Sequence, residues 1–163
     1  MALTRLYGRG SRGERIQEKV PRNYGQQTSI LSVLGVGGPS ATMTIEGAVD
    51  TDVFNVYVKE VLGPTLEDGD VVVLDNLSAH RASIIEEAAQ ERGVCVIWLS
   101  PYSPDFSPIE MMWSKIKGHM RNAKARTQQE MEKALLSALE LVTADDCLGW
   151  FKHCGYQVAL NCN

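Results

Sequence analysis

Hydrophobic and polar residues alternate from Thr28 to Val36 (TSILSVLGV), a stretch rich in branched side chains, which predicts a β-strand. Gly35, Gly37, Gly38 and Pro39 mark a turn, and Ala41 to Gly47 (ATMTIEG) reads as a second strand antiparallel to the first. Over about residues 52–62 the pattern changes to a helical period. Val53, Tyr57 and Val61 share one face with Val58 and Leu62 beside them, Thr51 is placed to cap the start, and Gly63–Pro64 stops the run. After a turn at Asp68–Gly69, Val71 to Asp75 (VVVLD) is a continuous apolar run of the kind expected of a fully buried strand. A helix over about 80–92 ends at Gly93, and Val94 to Leu99 (VCVIWL) predicts another buried strand, with Cys95 as a buried thiol. Prolines 101, 104 and 108 exclude regular structure between Ser100 and Pro108. From Pro108 onward, Ile109, Met112, Trp113, Ile116 and Met120 form an apolar stripe at i, i+3, i+4, i+7 and i+11, the core-facing side of a helix. A further helix spans about 127–142, and a short helical piece follows Thr143. Antiparallel strands followed by strand–helix alternation predict an α/β fold, a mixed sheet with helices packed on it.

The 163 residues suit one domain with a hydrophobic core. No apolar run is long enough to cross a bilayer and none reads as a signal peptide, so the expected setting is cytoplasmic with no membrane partner. Cys147, Cys154 and Cys162, with His153, match no common zinc spacing, and unpaired reduced thiols are the expectation. The formal net charge of −4 argues against nucleic acid as a partner, but its distribution does not. Residues 1–22 carry Arg5, Arg9, Arg12, Arg15, Lys19 and Arg22 against Glu14 and Glu18, in an irregular Gly/Arg-rich arm that extends to residue 27. Residues 113–126 carry Lys115, Lys117, Arg121, Lys124 and Arg126 and no acid. Residues 46–70 hold seven acids and only Lys59. Clustered cations are what phosphate binding requires, whatever the total charge; two solvated faces would look the same.

Two carboxylates stand out by position. Asp75 ends an apolar strand, where α/β sheets gather functional groups, although Asp75–Asn76 is also good turn chemistry. Glu110 opens the helix after Pro108. With Ser107 it could form a capping box, or it could hold a metal; the two uses compete for one carboxylate. Lys117 and Arg121 lie seven and eleven residues on, nearly in register with Glu110 on one helical face.

Leu74 to His80 (LDNLSAH) and Leu99 to Lys117 (LSPYSPDFSPIEMMWSKIK), with 34 residues between Asp75 and Glu110, resemble the second half of the catalytic core of DDE-type transposases of the bacterial insertion-sequence and mariner group. Thr4 to Gly10 (TRLYGRG) and Arg12 to Arg15 (RGER) resemble the basic segment after that family's first catalytic strand, so the likeness covers about 150 residues. Ser107 stands where the family usually has Asn, a mild change because both cap helices well. No acid precedes Glu14, so the family's first strand with its Asp, and its upstream DNA-binding domain, are expected to be missing. Asp50 and Asp52, at a helix start beyond the second strand, are poor substitutes because metal ligands need defined reach and angle.

The resemblance implies an RNase H-like fold, lacking its first strand, over residues 28–163 with the 1–27 arm belonging to the core. It implies a transposase core that cuts and joins DNA phosphodiesters with two Mg2+ (or Mn2+) ions, hard cations suited to carboxylate oxygens. Asp75 and Glu110 are then the catalytic and metal-binding residues. Arg5, Arg9, Arg12, Lys117 and Arg121 bind DNA, Asn76 and His80 support the site, and element ends and target DNA are the partners, with a homodimer as one arrangement. Two alternatives stand beside this: an inactive remnant that only binds DNA, and a non-enzymatic small α/β domain in which Asp75 is a turn residue and Glu110 a cap.

Overall fold

The computed structural model describes residues 9–15, 17, 27–75, 83–101 and 103–158. Strands β1 (Thr28–Gly35) and β2 (Gly38–Glu46) form an antiparallel hairpin. Its tight end uses Gly38 at φ +137°, a backbone angle that favours glycine. Helix α1 (Thr51–Tyr57) runs into one π-turn (Val58–Leu62) and one 3-10 turn (Gly63–Thr65). Strand β3 (Val71–Leu74), helix α2 (Ser83–Glu91) and strand β4 (Cys95–Trp98) form a β–α–β unit whose strands pair in parallel, Leu74 opposite Trp98. Helices α3 (Ile109–Ala123), α4 (Gln128–Glu140) and α5 (Ala144–His153) follow. Among the described residues the strands form two two-stranded sheets, β1–β2 and β3–β4, rather than one continuous sheet.

Strand β1 separates two cores. Ile30 and Leu34 point to a cluster built by Met112, Ile116 and Met120 of α3, Leu135 and Ala138 of α4, Val142, and Cys147 of α5. Leu31 and Val33 point the other way, to Phe54, Tyr57, Val58, Leu62 and Ile85, with Leu74 and Trp98 packed on the same cluster. Period-two alternation thus buries both faces of one strand between two helical layers.

The sequence pattern places the elements well but misreads several details. The α1 cap is Asp50, not Thr51: the Asp50 carboxylate accepts the Val53 N–H at 2.9 Å, which also commits Asp50 to the backbone rather than to a ligand. Strands β3 and β4 are not fully buried. Leu74 and Trp98 pack inward, whereas Val71 is 56% exposed, Ile97 is 46% exposed, and Cys95 is exposed rather than buried. In parallel register Val71 faces Cys95 and Val73 faces Ile97, so these residues share the face that no described helix covers.

A β-bulge sits where the register shifts between Leu31 opposite Met43 and Val33 opposite Ser40. Ala41 takes φ +45° there, and the Tyr57 hydroxyl donates to its carbonyl at 2.8 Å. Burial pushes the Tyr57 phenol up to about 12. Tyr57→Phe is expected to cost about 1 kcal/mol, from the lost bond and the orphaned carbonyl. The stability that Tyr57 contributes by staying protonated is present below its unfolded value near 10 and lost as pH rises from there toward 12. Thermal melts of the two proteins across that window check this: the parent should lose stability faster than the phenylalanine variant, and parallel curves would disprove it.

Candidate active site and nucleic-acid face

Asp75 directly follows β3 and is exposed. The parallel ladder continues one step past β4, because the Leu99 N–H donates to the Leu74 carbonyl at 2.8 Å. The proline-rich loop that ends at Glu110 therefore leaves the sheet beside Asp75. Asn76 and His80, like Arg5, lie outside the described residues.

Within that loop a 3-10 turn, Pro104–Phe106, closes through the Ser107 N–H to the Pro104 carbonyl at 2.9 Å. Helix α3 then starts at Ile109 after Pro108, with no side-chain cap. The expected Ser107–Glu110 capping box does not form. The 3-10 turn closes onto Ser107, and the Glu110 N–H bonds the Ser107 carbonyl instead, at 3.1 Å. Of the two competing uses of Glu110, capping is therefore excluded: its carboxylate is exposed and engages no described partner.

Glu110, Lys117 and Arg121 occupy one face of α3, the cations about 10 Å and about 16 Å along the axis from the acid. Lys117 is exposed and Arg121 half-buried. Arg9 and Arg12 are exposed. Lys115 leaves the basic stripe, because its ammonium pairs with Asp146 on α5. Asp146 also closes a capping box with Thr143, and the lysine and the Thr143 amide together hold its carboxyl down at about 2. Trp113 packs on the α3–α4–α5 core, as its place in the apolar stripe predicts.

Sequence reasoning missed two residues here. Asp146 had a readable signal, the Thr143-x-x-Asp146 spacing of a capping box. Tyr156, whose hydroxyl donates to the Phe106 carbonyl at 2.7 Å, had none. Among the described residues no group of three or more His, Cys, Asp or Glu side chains is arranged to hold a metal ion. Nor, among them, is any helix long and apolar enough to cross a membrane.

The fold resembles that in the crystal structure of the Mos1 strand transfer complex, with a TM-score of 0.66 and 15% identity over 93% of this chain. It also resembles the Mos1 transposase paired-end complex with left transposon end, with a TM-score of 0.66 and 13% identity over 92% of this chain. This chain spans 46% of the length of each of those chains. At such low identity the likeness establishes the fold, an RNase H-like α/β architecture, and not the chemistry. Among curated proteins none matches this chain. The DDE superfamily endonuclease family matches residues 2–132, a span that holds both Asp75 and Glu110. Four-fifths of the sequence thus lies within that match, and the chain belongs to the DDE endonuclease superfamily.

Proposed function

We propose that this chain is the catalytic core of a DNA transposase, in which Asp75 and Glu110 hold a divalent metal ion and the α3 face carries DNA. The observation that supports it most is the placement of the two carboxylates inside the family match. One ends the β3 strand, and the other opens α3 with its carboxylate free of capping. Both are exposed hard-oxygen donors, which suit Mg2+ or Mn2+. When bound, such ions activate the attacking hydroxyl and stabilise the leaving oxygen in phosphodiester cleavage and joining. The chain's own contribution is placement. The β3–β4 ladder fixes Asp75, and the packed underside of α3 fixes Glu110. Lys117 and Arg121 extend the same α3 face as a track for phosphates, and Arg9 and Arg12 add basic groups from the arm. In this reading residues 28–163 form one domain with the arm, and DNA is the partner.

A second reading is DNA binding without cleavage. One observation favours it: the described residues offer these two carboxylates but no cluster of three ligating side chains, which would make a more complete ligand set. Plasmid nicking at low salt with Mg2+ or Mn2+ separates the two, with Asp75→Ala and Glu110→Ala as controls. Nicking lost in both variants supports the transposase core; salt-sensitive binding with no nicking supports the second reading.

The DNA track is tested separately. The Lys117→Ala/Arg121→Ala double variant is expected to bind duplex DNA more weakly at every sequence. The slope of log K against log salt should flatten by about 1.8, the counterion release of two phosphate contacts. An unchanged slope would remove α3 from the DNA-binding surface.

A further inference from the structure

Helix α3 carries Glu110 but has no side-chain cap to set where it begins. The segment beyond α4 grips it at two places. On one side of Glu110, the Lys115 ammonium bonds Asp146, and Cys147 of α5 is buried against Met112 and Ile116. On the other side, four residues before Glu110, the Phe106 carbonyl accepts the Tyr156 hydroxyl at 2.7 Å, across 50 residues of chain. The Tyr156 ring is itself held. Its backbone N–H bonds the Phe151 carbonyl at 2.9 Å, and its ring meets Phe151 edge-on with centroids 5.7 Å apart. A second sign that this end of α5 lies against the turn is the buried Cys154 thiol, pushed up by burial first and then by the Asp105 carboxylate. Asp146, Cys147, Phe151 and Tyr156 all lie beyond residue 132, where the family match ends.

We propose that Tyr156 is a positioning residue for Glu110: by pinning the Phe106 carbonyl it fixes the turn that enters α3, and so holds the Glu110 carboxylate where it can share a divalent cation with Asp75. This rests on the metal-binding reading of Asp75 and Glu110 above. The physical argument is one of leverage. A helix packed by one face is well fixed along Met112, Ile116 and Met120, with Ile109 of its first turn resting on the same cluster. The exposed side of that turn, where Glu110 stands, frays more easily when the loop entering it is loose. Pro108 is buried and the 3-10 turn closes on itself, but Phe106 and Asp105 are exposed, so the hydroxyl–carbonyl bond adds a long-range tie to the part of the entry that packing does not hold. Groups that orient a ligand without touching the metal change affinity by about 10–100-fold.

The test uses the full chain and Mn2+ alone, with free Mn2+ counted by electron paramagnetic resonance. Amide hydrogen exchange at Ser107, Glu110 and Met111 is followed in parallel. Tyr156→Phe removes only the hydroxyl and is expected to weaken Mn2+ binding by about tenfold, the low end of such effects. The same variant should speed exchange at those three amides. Tyr57→Phe is the control: it removes another tyrosine–carbonyl bond, in the opposite core, and should leave Mn2+ affinity unchanged. If Glu110→Gln weakens Mn2+ binding but Tyr156→Phe binds like the parent, the positioning role is wrong and the metal site stands. Equal weakening by Tyr156→Phe and Tyr57→Phe would mean general loosening and would also overturn it. If Glu110→Gln binds Mn2+ like the parent, Glu110 is no ligand, and the metal-site reading and the positioning role fall together.

Discussion

Glu110→Gln is expected to reduce metal-dependent nicking of plasmid DNA by at least about 100-fold, since even groups one shell away from a metal are worth 10–100-fold. The fold should survive the change. Glu110 is exposed, makes no cap, and engages no described partner, so only its interaction with the positive end of α3 is lost. That is worth about 0.3–1 kcal/mol, a shift of roughly 1–4 °C in a domain of this size. Glutamine keeps the shape and one carbonyl oxygen, so a loss of nicking reports the missing negative charge rather than a hole. The decisive comparison is nicking rate against melting temperature in the same preparations. A variant that melts like the parent and nicks like it would show that Glu110 plays no part in the chemistry. One that loses both together would show that the residue is structural, contrary to its exposure.

The second large effect is on stability. Ile116→Ala is expected to destabilise the protein by about 2–5 kcal/mol, the range for truncating a large buried aliphatic side chain. Ile116 is 1% exposed at the centre of the α3 stripe, in the cluster that Met112, Met120, Leu135, Ala138 and Cys147 close around. Ile30 and Leu34 of β1 lean on the same cluster, so the cavity would open where the helical layer meets the hairpin. Typical domains hold only about 5–15 kcal/mol in reserve, so a third of the total could go in one step. Leu136→Ala on α4 is the contrast: Leu136 is 62% exposed, and its loss should change stability by less than about 0.5 kcal/mol. Denaturant melts with unchanged slopes would report both. An Ile116→Ala value as small as that of Leu136→Ala would mean that the α3 underside is not the core.

These two residues also show how the chain can be read. Ile116 was visible in the sequence, because a stripe at i, i+3, i+4 and i+7 has one physical use in a water-soluble helix: to be buried. Glu110 was visible as a candidate but not as a choice. The Ser107-x-x-Glu110 spacing fits a capping box as well as it fits a ligand. Only the path of the loop, with its 3-10 turn closing onto Ser107, shows that the box does not form. Asp75 was legible for the same reason as Ile116: an acid that terminates an apolar strand must emerge at the sheet's end.

Where the sequence misled, the cause was coverage by other elements. Val71 to Leu74 and Cys95 to Trp98 read as doubly buried because their residues are apolar on both faces. Burial, however, depends on what packs opposite, and among the described residues only the Leu74–Trp98 face is covered. Lys115 read as one more cation in a basic run, until the fold brought Asp146 to it from 31 residues away. Local sequence determined the order and type of elements, the apolar face of each helix, and which acids stand at element ends, because periodicity and turn chemistry act over a few residues. Tertiary structure alone decided which face of β3–β4 the described helices cover, that Lys115 pairs with Asp146, and that the Tyr156 hydroxyl bonds the Phe106 carbonyl ahead of α3. Each of these depends on a partner far along the chain, and no local pattern encodes such a partner.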